Sequence, residues 1–267
     1  MTQTNNNTLS STSMLPPLPP LLPKGSALFL DFDGTLVPIA ERPQDIHVPA
    51  WVLPTLKHAR DTLDGALAIL TGRPLAEIDE YLDPLRLAGA GIHGAERRRP
   101  DGLMETHAAR VPAPIVRAVE ALAHEHRELM IETKHAALAL HYRAAPQLQS
   151  VCMRVLDGVV REFPDWIVLP GHAVFEVKLR GLSKGTAVQA FLAEEPFAGR
   201  RPIMVGDDTT DEDAFEAALR AGGYGIKVGG GATLATYALN DPAAVCRWLA
   251  ASSDALAAHA DRNSAAR

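Results

Sequence analysis

The chain reads as an α/β protein: a doubly wound, Rossmann-like parallel sheet with an α+β cap domain inserted into it. Three observations carry that reading. Short apolar runs recur, and each ends in a polar, glycine-containing cluster, as buried parallel strands do where they feed a loop. Helical periodicity lies between the first two of these runs. The middle of the chain then breaks the alternation with a helix-strand-strand order that occurs twice. At 267 residues, 47% hydrophobic and 22% charged, the chain has ample material for such a core.

Taken in order, the first 24 residues predict a disordered tail. Ten of the first thirteen are Ser, Thr or Asn, and prolines follow at 16, 17, 19, 20 and 23. No basic region precedes the short Leu/Pro stretch, so a signal peptide is not expected. The character changes at Lys24. Ala27-Leu28-Phe29-Leu30 runs into Asp31-Phe32-Asp33-Gly34-Thr35. Residues 49–63 predict a helix with Val52, Leu53, Leu56, Ala59 and Leu63 on one face. Ala66 to Leu70 then runs into Thr71-Gly72-Arg73. Further on, Pro202 to Val205 runs into Gly206-Asp207-Asp208. Ligands of doubly wound sheets bind beyond the carboxyl ends of the strands, so the three polar clusters should converge.

Between these parts, residues 112–128 and 146–163 predict helices, and Leu129–Glu132 and Ala136–Tyr142 predict strands. Leu138, Leu140 and Tyr142 alternate with Ala139 and His141, the pattern of a half-buried strand. Trp166–Leu169 and Val174–Leu179 predict a hairpin turned by Pro170-Gly171. The expected domains are a core of residues 25–102 and 179–267 and a cap of residues 103–178. The Ala-rich stretch 250–267 either extends a terminal helix or frays.

Composition excludes several classes. The formal net charge is −6, which argues against general nucleic-acid affinity. No apolar run is long enough for a transmembrane helix. Two cysteines without paired spacing give neither a disulfide scaffold nor a structural zinc site, and they suit a reducing compartment. A cytoplasmic monomer with a small-molecule partner is expected.

The chemistry concentrates at the strand ends. Asp31 and Asp33 straddle one, with Gly34 permitting a sharp turn. One carboxylate of such a pair can attack an electrophile while the other handles a proton, and both can face a hard cation. Asp207, Asp208 and Asp211 form a second acidic cluster, which repels itself unless a cation is near. The same residues suit a helix start, and the two readings are compatible. Thr71, Gly72 and Arg73 offer a hydroxyl and backbone amides to a phosphate. Lys184, at the start of a predicted helix, offers a cation that could pair the phosphate and offset the carboxylates.

An aspartate pair, a hydroxyl, a lysine and an acidic metal cluster in this order resemble the four-motif signature of the haloacid dehalogenase superfamily. The insertion resembles its larger type of cap. Gly91-Ile92-His93-Gly94-Ala95-Glu96, Glu132-Thr-Lys134, His141-Tyr142-Arg143, Glu176-Val-Lys178 and Gly206-Asp-Asp-Thr-Thr-Asp-Glu further resemble the trehalose-6-phosphate phosphatases, over residues 25 to 249. The resemblance implies a trehalose-6-phosphate phosphatase with Mg²⁺ as cofactor. Asp31 would be the nucleophile that becomes an aspartyl-phosphate, and Asp33 the general acid and base. Asp31, the Asp33 carbonyl, Asp207 and Asp208 would hold the metal, supported by Asp211. Thr71, Gly72, Arg73 and Lys184 would hold the phosphate.

For the sugar, the resemblance favours Lys134, Glu176 and Lys178, with Arg143 and His141 either in contact or structural. Glu132/Lys134 and Glu176/Lys178 have strand period 2, so each pair shares a face; without the resemblance they read as a cross-strand ion-pair ladder. His93, Gly94 and Glu96 sit at a core strand end and either touch the sugar or brace the cap. Arg97 to Arg99 read as a solvated face. Another sugar phosphatase or a phosphomutase of the superfamily is the nearest alternative, and a catalytically silent relative is a further one.

Overall fold

The computed structural model describes residues 16–40, 45–107, 109–133, 136–171 and 173–265. The core opens with β1 (Ser26–Leu30), α1 (Val52–Thr62), β2 (Leu67–Leu70), α2 (Leu75–Tyr81), β3 (Ala88–Gly91), β4 (Glu96–Arg98) and β5 (Met104–Thr106). The cap follows as α3 (Ala113–Glu125), β6 (Met130–Thr133), β7 (Ala137–His141), α4 (Gln149–Val160), β8 (Trp166–Gly171) and β9 (Val174–Leu179). The chain returns to the core with α5 (Lys184–Leu192), β10 (Arg201–Gly206), α6 (Glu212–Arg220), β11 (Tyr224–Val228), β12 (Tyr237–Leu239) and α7 (Pro242–Ala265).

The core sheet has the order β12-β11-β10-β1-β2-β3-β4-β5, parallel from β12 to β3 and antiparallel beyond. β1 is central and entirely buried, as its unbroken apolar run requires. The strand order reverses between β1 and β10, so the crevice at their carboxyl ends is the expected ligand site of such a sheet. Phe29, Phe191 and Phe197 pack ring against ring beneath it, with centroids 5.1 to 6.1 Å apart.

The cap sheet has the order β6-β7-β9-β8 and is wholly antiparallel. Leu138, Leu140 and Tyr142 point into a second apolar core with Ile115, Val119 and Leu122 of α3 and Leu156 of α4. The opposite face is left for other use. Cross-strand register puts Glu132, Ala139, Glu176 and Leu169 in one row, and Met130, His141, Val174 and Gly171 in the next. A small apolar cluster of Ile92, Ala95, Ala136 and Ala137 lies at the seam with Leu182 against it.

Three expectations change, and one open alternative is decided. β5 pairs with β4 in the core sheet, so residues 104–106 belong to the core and the cap begins after them. The hairpin pairing runs on through Gly171↔Val174, and Ala173, at φ 59°, takes up the turn in place of Pro170-Gly171. Residues 250–265 extend α7.

Residues 17–22 of the expected tail are docked. Ala238 N donates to Pro17 O at 2.9 Å, Trp248 Nε1 to Pro20 O at 2.8 Å, and Leu22 N to Ser252 Oγ at 3.2 Å. Leu22 is buried. Proline has no N–H to give to a ladder, but its carbonyl accepts well, so this segment straps the β12 edge to α7. The expected disorder of residues 1–15 lies outside the described residues.

Candidate functional site

The carboxyl ends of β1, β2 and β10 meet, and they form the floor of a cavity of about 820 Å³ between core and cap. Asp31, Asp33, Gly72, Arg73, His93, Lys184, Asp207 and Asp208 line it from the core. Glu128, Met130, Glu132, His141, Arg143 and Glu176 line it from the cap. Ile39, Ala40 and Ile46, from the loop after β1, close one side.

Lys184 is the electrostatic centre. It is buried at the first turn of α5, and Ser183 and Thr186 cap that turn reciprocally, which fixes where the lysine starts. Its Nζ lies 2.7 Å from Asp31 Oδ1 and 2.7 Å from Asp211 Oδ1. Burial opposes its charge, but Asp211 and Asp31 outweigh burial and hold the ammonium well above the usual lysine range. Asp211 is fully buried, and its other oxygen accepts from Asp207 N and Asp208 N at 3.0 Å each. It therefore shapes the turn that presents Asp207.

Asp31, Asp207 and Asp211 each place a carboxylate oxygen within 4.8 Å of the others. Burial first, then Asp211, pushes the Asp31 carboxyl well above the usual range despite Lys184. Burial and Asp211 likewise push Asp207 up to about 6. Lys184 pairs with Asp31 and Asp211, and even with the nearby Lys227 the three carboxylates outnumber these buried cations, so this donor set fits a hard divalent cation. Gly34, at φ 76°, passes so close to Asp207 that any side chain would fall on its carboxylate. Thr35 Oγ1 bridges the two strand ends, 3.5 Å from Asp31 Oδ2 and 3.4 Å from Asp207 Oδ1.

Several expected site residues have protein partners of their own. Asp208 lines the cavity, its Oδ1 accepts from Thr209 N at 2.6 Å, as a helix start requires, and it lies outside the three-carboxylate group. Thr71 is fully buried and outside the cavity lining, and its hydroxyl accepts from Arg73 N at 3.0 Å. Arg73 lines the cavity and turns its side-chain donors to carboxylates: Nε and Nη2 donate to Asp33 at 2.7 and 2.9 Å, and Nη1 to Glu77 at 3.1 Å.

Glu96 does not line the cavity. Its carboxylate accepts from Leu75 N, at the start of α2, where an acceptor satisfies an orphan helix donor. Gly94 backs onto the linker, where an added Cβ would meet Ser183 O at 2.9 Å. Lys178 is buried and donates to Leu182 O at 2.8 Å, so it braces the segment that returns from cap to core. Burial pulls its ammonium below the usual range, against the pull of Asp213 and Glu176. Lys134 lies outside the described residues.

Other expected residues do gather. His93 is buried with left-handed backbone (φ 51°) and turns its Nε2 to 2.6 Å from Glu176 Oε2, joining core to cap. Arg143 Nη1 donates to Ala40 O at 3.0 Å, a second core-to-cap link. His141 lies 3.3 Å from Glu132 Oε2. Arg97 and Arg99 are not simply solvated: they hold Glu194 at 2.5 and 3.0 Å. Sequence reasoning missed Lys227, a buried lysine of β11 whose Nζ donates to the main-chain oxygen of Asp207. A single lysine within a strand gives no signal of that role. It also missed Glu77 of α2, which pairs with Arg73 from just before the helix start.

The fold and the strand-end carboxylates define the class first: this is a haloacid dehalogenase-fold protein. A phosphatase of that superfamily from Bacteroides thetaiotaomicron superposes over 94% of this chain and all of its own, with a TM-score of 0.60 at 17% identity. The C-terminal domain of a Candida albicans trehalose-6-phosphate phosphatase covers 86% of this chain and 93% of its own, with a TM-score of 0.77 at 23% identity. The family model for trehalose-phosphatase matches residues 29–243, and the chain belongs to that family of phosphoric monoester hydrolases. A trehalose-6-phosphate phosphatase of Escherichia coli is 40% identical over 227 residues, which is 84% of this chain and 85% of the relative. No helix among the described residues is long and apolar enough to cross a membrane.

Proposed function

We propose that this chain hydrolyses trehalose 6-phosphate to trehalose and phosphate, with Mg²⁺ and through an aspartyl-phosphate on Asp31. One observation carries the reading: a single cavity has Asp31, Asp33, Asp207 and Lys184 on its floor and Glu132, Glu176 and Arg143 on its cap wall. A phosphate ester with a polyhydroxylated leaving group needs both halves. Carboxylates and a guanidinium suit the paired hydroxyls of a sugar.

Asp31 and Asp207 would hold the cation, with the Asp33 carbonyl completing the set as the superfamily resemblance implies and Asp211 fixing the turn behind Asp207. Bound there, Mg²⁺ supplies charge neutralisation for the phosphoryl oxygens. Lys184 donates to Asp31 Oδ1 and opposes the upward push of burial on the Asp31 carboxyl. Asp31 forms a bond to phosphorus, and the bond from phosphorus to the sugar oxygen breaks. Asp33 gives its proton to the sugar oxygen as the electron pair leaves with it. Asp33 then takes a proton from water, whose oxygen bonds to phosphorus and releases Asp31. The cap wall positions the sugar and excludes bulk water from the acyl-phosphate. One chain supplies every residue named, which supports action as a monomer. Both cysteines are free, which supports a cytoplasmic setting.

The test is phosphate release from trehalose 6-phosphate, sucrose 6-phosphate, glucose 6-phosphate and mannose 6-phosphate, with and without EDTA. Preference for trehalose 6-phosphate that EDTA abolishes is the expected result. Equal release from all four would remove the cap wall from the account of specificity. Activity that survives EDTA would remove the cation.

A further inference from the structure

Arg73 stands where a phosphate-binding arginine would be expected, yet its donors are turned elsewhere. Nε and Nη2 grip both oxygens of Asp33, and Nη1 goes to Glu77. Two carboxylates therefore offset its charge before any phosphate arrives. The grip is bidentate, the geometry in which a planar guanidinium fixes the orientation of a carboxylate as well as its place.

The arginine is itself held. Its guanidinium lies 5.5 Å from the Tyr81 ring centroid, and Tyr81 stacks on Phe32 with centroids 5.8 Å apart. Its backbone nitrogen is tied to the Thr71 hydroxyl. Phe32 sits between Asp31 and Asp33 in the chain, so this arm references Asp33 to the same turn that carries Asp31. Asp33 needs such support: its side chain is about one-third exposed (34%), whereas Asp31 (7%) is locked by Lys184.

We infer that Arg73, backed by Glu77 and Tyr81, is a positioning residue that aims the Asp33 carboxyl at the ester oxygen. This rests on Asp33 being the group that protonates the leaving sugar. A positioning role for the acid differs from a phosphate contact in its dependence on the leaving group. A sugar alkoxide needs the proton, whereas p-nitrophenolate does not.

The experiment compares kcat/KM for trehalose 6-phosphate and p-nitrophenyl phosphate in the Mg²⁺-loaded protein. The variants are Arg73→Lys, Glu77→Gln and, as reference, Asp33→Asn, each checked for unchanged far-ultraviolet circular dichroism and melting temperature. This ratio reports phosphoryl transfer to Asp31 and is blind to the later, shared hydrolysis. Arg73→Lys should lose about tenfold to a hundredfold on the sugar ester and less than about threefold on the aryl ester. Glu77→Gln should show the same pattern more weakly, and it decides the matter where Arg73→Lys fails to fold. Equal losses on both esters would make Arg73 a phosphate contact and overturn the inference. If Asp33→Asn itself shows no leaving-group dependence, the role of Asp33 fails and the inference falls with it. If Asp33→Asn shows the dependence and the arm variants do not, the inference alone fails.

Discussion

Lys184 Nζ lies 2.7 Å from Asp31 Oδ1, with both side chains buried, although 153 residues separate them in the chain. The pair ties the start of α5, just after the cap, to the end of the first core strand. It therefore makes the two halves of the core one electrostatic unit.

Removing the lysine should be costly to stability as well as to activity. Lys184→Met leaves Asp31 and Asp211 buried without their cation, a change that typically costs about 3–5 kcal/mol. Urea unfolding checks it. The loss should be smaller at pH 5 than at pH 7, because a stranded carboxylate can take up a proton at the lower pH. A loss independent of pH would contradict the pairing.

The acidic cluster makes the metal-free protein sensitive to pH. Burial and Asp211 push Asp207 up to about 6 from 3.8, and Asp31 is raised as well. A carboxyl raised on folding favours the folded state while it is protonated. Its stabilising contribution is present below about pH 4 and is lost as pH rises through about 6. The melting temperature in EDTA should therefore be less favourable at pH 7 than at pH 5 as far as this cluster is concerned. Mg²⁺ should raise it more at pH 7 than at pH 5. Differential scanning fluorimetry reads both, and an equal Mg²⁺ shift at the two pH values would contradict the assignment.

Glu96 and Glu176 separate packing from recognition. Glu96→Ala removes an acceptor at the α2 start and should cost about 1 kcal/mol, with KM for trehalose 6-phosphate unchanged. Glu176→Ala removes a carboxylate from the cap wall and from His93, and should raise KM about tenfold or more. Denaturation and steady-state kinetics check the pair. A raised KM in Glu96→Ala with normal stability would place Glu96 on the substrate instead.

Much of this was legible in the sequence because burial on both faces leaves a strand no choice of composition. β1 and β10 carry the apolar runs Ala27–Leu30 and Pro202–Val205, and the carboxylates that follow them mark where the sheet meets solvent. β3 is legible only by its end, at His93. Its Ala-Gly-Ala-Gly sequence carries no periodicity, because β2 and α2 come so close that a side chain at Gly89 would meet Ile69 O at 2.9 Å and Leu75 at 3.1 Å. β4 and β5 are short and polar, half-buried and exposed respectively, with β5 at the sheet edge, so solvent removes the alternation. The strap was misread because proline content describes a free chain well. Docking depends on partners such as Trp248 and Ser252, more than 220 residues away. At the site, residue types announced the chemistry, but several partners did not. Nothing local tells Glu96 that its acceptor serves Leu75, or Arg73 that Asp33 lies within reach.

The most direct test of the central claim is an acid-quenched single turnover with trehalose 6-phosphate carrying labelled phosphate, run on the Mg²⁺-loaded protein and on Asp31→Asn. Hydroxylamine-labile label is expected on the unmodified chain and none on the variant, with phosphate release at least about 10⁴-fold slower in the variant despite an unchanged fold. An Asp31→Asn protein that still released phosphate within about tenfold of the unmodified rate would contradict it.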